Sequence, residues 1–151
     1  MNSLRAALSE RVVIADGAMG TMLQARNPSL EDFQNHEGCN EILNVTRPDI
    51  VKEVHLDFIR AGAEVITTNN YAVVPYHVGQ ERFDNEVKDL VNIAVMQAKQ
   101  AVKESGQKVL IAGCLPPLFG SYRADLFQEN EAEKLAKPIV ESLAPHVDFW
   151  L

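Results

Sequence analysis

A chain of 151 residues is the size of one ordinary domain, able to bury roughly 70% of the surface its unfolded form exposes. Apolar residues make up 46% and charged residues 23%, and no stretch approaches the roughly 20 consecutive apolar residues of a membrane span, so a soluble globular protein is expected, with no membrane partner. A net charge of -7 argues against nucleic acid, whose binding rests on Lys and Arg, and leaves small-molecule chemistry as the starting point.

The opening residues, Met1 to Gly17, lack the apolar run and cleavage pattern of a secretory signal, which predicts a cytoplasmic protein. Cys39 and Cys114 are the two cysteines, far apart and in no C-x-x-C arrangement, so neither a disulfide framework nor a self-contained zinc finger is expected.

Val12-Val13-Ile14-Ala15, closed by Asp16-Gly17, reads as a buried first strand that delivers Asp16 to its carboxyl end. Residues 17–45 are irregular, punctuated by Gly17, Gly20, Asn27-Pro28 and Gly38, with a helical turn near Met19 to Gln24. Thr46-Arg47-Pro48-Asp49 opens a helix, with Thr46 as cap and Pro48 in the first turn. Ile50, Val51, Val54, Phe58 and Ile59 continue it, and Gly62 stops it. His55 falls on its apolar face and reads as a packed histidine. Glu64 to Thr68 is a second strand ending in Asn69-Asn70-Tyr71.

The stripe Val87, Leu90, Val91, Ala94, Val95, Ala98, Val102 marks the clearest helix, finished by Ser105-Gly106. Lys108 to Ala112 is a third strand, followed by a long loop through Gly120-Ser121-Tyr122-Arg123-Ala124-Asp125, a candidate lid in which Arg123 and Asp125 pair. Glu131 to Leu143 is helical in composition, with Pro138 expected to kink or divide it. Val147 to Leu151 begins a fourth strand.

This alternation predicts one α/β domain over residues 1–151 with a parallel sheet, wound either as a four-stranded doubly wound sheet or as half of a (β/α)8 barrel. In both, ligands bind at the carboxyl ends of the strands, which would gather Asp16, Asn69, Asn70, Cys114 and the 118–125 loop. The Asp16-Gly17-Ala18-Met19-Gly20-Thr21 segment suits a zwitterionic amino acid, because Asp16 offers a countercharge to a cation and the glycines let backbone amides converge on an anion. The competing reading is a structural turn capped by Asp16, and the Thr67-Thr68-Asn69-Asn70-Tyr71 segment likewise reads either as specificity groups or as Asx turns ending a strand. Neither cysteine has partners at ligand or nucleophile spacing, and His36, His77 and His146 have no readable role.

Four segments taken in order resemble the homocysteine S-methyltransferase family: Asp16-Gly17-Ala18-Met19-Gly20-Thr21-Met22-Leu23; Asn40-Glu41 through Thr46-Arg47-Pro48; His55-Leu56-Asp57-Phe58; and Ala61-Gly62-Ala63-Glu64-Val65-Ile66-Thr67-Thr68-Asn69. Gly113 to Leu126 resembles the family's third-strand loop. The resemblance implies a (β/α)8 TIM barrel, of which this chain supplies about the first four β/α units, and a methyl transfer to homocysteine that yields methionine. It implies that Asp16 contacts the substrate ammonium, that backbone amides of Gly17, Ala18, Met19, Gly20 and Thr21 receive its carboxylate, and that Asn69 and Asn70 belong to the strand-two polar cluster; Asn70 stands where a small hydroxyl residue is more usual.

It also implies zinc, held by three cysteines of the carboxyl-terminal half, which neither Cys39 nor Cys114 matches. Half a barrel has open edges, so self-association or a complementary carboxyl-terminal half is expected as partner, beside homocysteine and a methyl donor that no residue here identifies. Without the metal ligands, this chain alone is expected to be inactive. A non-catalytic amino-acid-binding or interaction module built on an open sheet is the alternative.

Overall fold

The computed structural model describes residues 2–34 and 39–151; His36 lies outside them. A helix, α1 (Asn2–Glu10), has no counterpart in the sequence reading. After it the chain runs extended to Asp16, then forms the short helix α2 (Met19–Gln24), a 3-10 turn at Asn40–Ile42 and α3 (Leu43–Thr46). Helix α4 (Pro48–Arg60) leads to strand β1 (Val65–Thr67), α5 (Pro75–Val78) and the long α6 (Gln80–Ser105) lead to β2 (Leu110–Gly113), and α7 (Glu129–Leu143) leads to β3 (Phe149–Trp150).

The three strands form one parallel sheet in the order β1-β2-β3, with Ile66 opposite Ile111 and Ala112 opposite Phe149. Asp148 closes the β2–β3 start from both sides: its amide donates to the Ile111 carbonyl, and its carboxylate accepts the Ile111 amide at 2.8 Å. The segment read as a buried first strand is instead an exposed edge. Ala15 alone bridges to Val65, and Val12 and Ile14 are 84% and 55% exposed, because the segment bonds to β1 along one side and, among the described residues, pairs with no strand on the other.

Apolar spacing accounts for the helices. Val87, Leu90, Val91, Ala94, Val95 and Ala98 of α6 are buried on one face, against which α4 and α7 pack. The main core joins these to Ile59, Ile66, Ile139 and Leu143, and a smaller cluster of Leu23, Leu43, Val51 and Val54 seats α2 on α4. Helix α4 ends as its sequence predicts: Gly62 takes φ 104°, and the Ala63 amide donates to the Phe58 carbonyl across a left-handed turn.

Two expectations change. Thr46 does not cap α4, because it closes α3 and its hydroxyl donates to the Asp32 carbonyl at 2.6 Å; Arg47 is the cap residue and pairs with Asp49. Pro138 does not divide α7, which continues as one helix through Leu143.

Candidate amino-acid site at the strand ends

Asp16 is placed by the bridge that precedes it. Its amide donates to the Val65 carbonyl at 2.9 Å, which fixes the backbone beside the end of β1. Its carboxylate is then held by one residue: Oδ2 accepts the Thr67 amide at 2.7 Å, and Oδ1 accepts the Thr67 hydroxyl at 2.9 Å. Burial raises the Asp16 pKa, and the two Thr67 bonds act against that rise.

A cleft of about 390 Å³ opens in front of this carboxylate, at the small end of ligand pockets, which run roughly 300–1,000 Å³. Asp16, Gly17, Met19, Gly20 and Asn69 line it, so five of the residues predicted from sequence come together. Ala18, Thr21 and Asn70 are not among the lining residues. The Ala18 carbonyl accepts the Met22 amide inside α2, and Thr21 lies in that helix's first turn. Asn70 is fully buried, accepting the Thr68 hydroxyl at 2.6 Å and donating to the Cys114 carbonyl at 2.9 Å. Its role in the structure is to brace the mouth of β2.

Glycine matters here in two ways. A Cβ on Gly20 would lie 2.7 Å from the Asn40 side-chain nitrogen, so a larger residue there would push the Asn40 side chain aside. A Cβ on Gly17 would meet nothing nearer than Phe58 at 3.7 Å, so packing does not require glycine there, and the bare backbone is open to the cleft.

The sequence did not point to Asn40, Glu41 or Asn44 as site residues, and it offered Thr67 only within the segment Thr67 to Tyr71, with no partner for it. Glu41 is buried and lines the cleft; one carboxylate oxygen accepts the Ala72 amide at 2.9 Å and the other accepts the Cys39 thiol at 3.7 Å. Burial raises its pKa, with the Ala72 amide opposing. Asn44 ties the same segment to the end of β1, donating to the Asn69 carbonyl at 2.7 Å and to the Glu41 carbonyl at 2.8 Å. The available signal was a pair of polar residues, Glu41 and Asn44, interleaved with the apolar Ile42 and Leu43.

Cys114 also lines the cleft. Burial, then the charges of Glu41 and Asp16, push its thiol up to about 12; burial and Glu41 push that of Cys39 up to about 11. Both stay protonated at neutral pH, and among the described residues no group of three or more His, Cys, Asp or Glu is placed to hold a metal. Arg123 and Asp125 do pair, at 2.8 Å, but on an exposed loop; that loop reaches the cleft through Ser121, whose hydroxyl lies 2.7 Å from that of the lining residue Tyr71. A larger groove of about 920 Å³ runs between α6, α7 and residues 118–128, but the chemistry collected at the strand ends is absent from it.

Comparison with known proteins matches residues 13–151 to the family described as homocysteine S-methyltransferase. The chain belongs to the homocysteine S-methyltransferase family. The methionine synthase of Mycobacterium tuberculosis (strain ATCC 25618 / H37Rv) is 38% identical over 113 residues, which is 73% of this chain and 10% of that protein. The homocysteine S-methyltransferase of Escherichia coli (strain K12) is 34% identical over 132 residues, 82% of this chain and 41% of that enzyme.

Among solved structures, the metallated form of the E. coli homocysteine methyltransferase MmuM aligns with a TM-score of 0.77 at 31% identity, covering 97% of this chain and 55% of that one. Its oxidised form aligns with a TM-score of 0.76. The chain thus spans between a tenth and about half the length of the family members it matches.

Proposed function

We propose that this chain forms the amino-acid-binding end of a homocysteine S-methyltransferase, in which the substrate thiol accepts a methyl group and leaves as methionine. The observation that carries the reading is the braced Asp16 carboxylate in a cleft lined, among the described residues, by no Lys, Arg or His. An ammonium group entering that cleft meets a fixed anion with no competing cation. The substrate carboxylate then falls to the backbone amides around Gly17 to Thr21, where the first turn of α2 lacks preceding helical carbonyls. The Met19 amide is already engaged by the Gly17 carbonyl, so the amides of Gly17 and Gly20, both cleft-lining residues, are the ones we assign. Holding both groups on the α-carbon leaves the homocysteine side chain free to present its sulfur.

The zinc implied by the family resemblance does not fit these residues. A zinc site needs several Cys or His ligands converging on one point, and among the described residues neither Cys39 nor Cys114 belongs to such a group. We assign the metal to cysteines outside this stretch of chain. The parallel sheet is read as the opening part of a (β/α)8 barrel, its two edges closed by a carboxyl-terminal half or by a second copy. Two buried, unpaired cysteines suit a reducing compartment, so the cytoplasm is the proposed address; no helix among the described residues is long and apolar enough to cross a membrane.

Asp16→Asn separates charge from structure, since an amide can accept the Thr67 N–H with its oxygen and donate to the Thr67 hydroxyl with its nitrogen. Calorimetric titration with L-homocysteine should show affinity falling by about tenfold to a hundredfold, the range of a lost charge-assisted hydrogen bond, with thermal stability unchanged or higher. Equal affinity in the variant would remove Asp16 from the site and with it this reading.

A further inference from the structure

Thr67 stands at the last position of β1, half-buried, 51 residues from Asp16 in sequence. Both of its donors, the amide and the hydroxyl, are spent on the two oxygens of one carboxylate. That geometry removes the carboxylate's freedom to turn: with each oxygen tied to a different atom of the same residue, rotation about the Asp16 side chain breaks one bond or the other. It also leaves each oxygen further lone-pair capacity.

We propose that Thr67 is the positioning residue of the site, orienting the Asp16 carboxylate toward the ammonium of the bound amino acid through its hydroxyl. The proposal rests on the assignment of Asp16 made above. The hydroxyl is also a donor to the charged form, so it favours ionised Asp16 against the burial that opposes it.

Thr67→Val tests this with little disturbance of the strand, because valine keeps the β-branched shape and the backbone amide and loses only the O–H. The expected result is an L-homocysteine affinity about tenfold weaker, with the pH dependence of binding displaced to higher pH as Asp16 becomes harder to ionise. Thr67→Ser, which restores the hydroxyl, should recover both. In an Asp16→Asn background, Thr67→Val should add little further loss.

Wild-type affinity and an unshifted pH profile in Thr67→Val, beside a weakened Asp16→Asn, would overturn the proposal and leave the site assignment standing. An undiminished Asp16→Asn would instead bring down the assignment itself. If Thr67→Val does not fold, Thr67→Ser and Thr67→Ala decide the matter: serine binding no better than alanine, or Thr67→Ala losing as much affinity in an Asp16→Asn background as alone, means a general structural effect and overturns the proposal.

Discussion

His55 shows how a single side chain can set the acid limit of the molecule. It is fully buried on α4 with neither ring nitrogen hydrogen-bonded, and burial lowers its pKa from 6.5 to about 4. A depressed histidine means that the unfolded chain takes up a proton that the folded chain refuses. Stability from this group is therefore present above pH 6.5 and lost as pH falls toward 4. The expected loss is about 2 kcal/mol between pH 7 and pH 5. Asp16 and Glu41, whose carboxyls are raised by burial, work in the opposite sense, since protonation relieves them as pH falls. Urea denaturation of wild type and His55→Leu at both pH values isolates the histidine: the leucine variant should lack this decline, and an identical decline in both proteins would refute the assignment.

At this same scale the sequence disclosed Asp16 and the glycines around it, because a β-branched run handing over to Asp-Gly is a local pattern. It did not disclose the partner of Asp16. The Thr67 bonds depend on which strand lies beside which, a relation that no local window contains. Asn70 misled for a related reason: a polar residue at a strand end reads equally well as facing ligand or backbone, and its burial beneath the Cys114 carbonyl is decided by tertiary packing.

Among elements, α6 was the most legible and the sheet the least. A helix of 26 residues repeats its apolar period several times, whereas strands of two to four residues carry almost no periodicity. The first strand failed as a prediction of burial because β-branched composition registers strand preference and not whether both sides find neighbours. Pro138 failed as a breaker because the apolar positions Leu135, Ile139 and Leu143 bury α7 on both sides of it, and packing outweighs a local penalty of about 3 kcal/mol. Val91, fully buried in α6, gives a test of what holds the helices. Val91→Ala should cost about 1–3 kcal/mol in denaturant unfolding through the cavity it leaves, while homocysteine affinity stays within about twofold. A stability loss below that range would mean that the α4–α6 contact collapses to fill the space.

For the whole molecule, exposed apolar residues stand at both margins of the sheet, Val12 and Ile14 on one and Trp150 and Leu151 on the other, besides others such as Leu30, Tyr122 and Phe127 on loops. Unpaired strand edges carrying apolar side chains invite pairing with another chain. A polypeptide of residues 1–151 expressed alone should therefore self-associate, with multi-angle light scattering returning a mass above 16.8 kDa that rises with concentration. A concentration-independent monomer would show that these margins are tolerated in water.

The single bridge at Ala15 has a thermodynamic corollary. Asp16 belongs to the marginal segment, while its brace, Thr67, belongs to β1, so the proposed recognition groups straddle the seam between that segment and the sheet. On the proposed function, an amino acid seated there would bind only the closed seam and draw the opening equilibrium toward closure in proportion to its own affinity. On the proposed function, this join thereby becomes one that substrate strengthens, and occupancy at the cleft would be felt as rigidity at the margin.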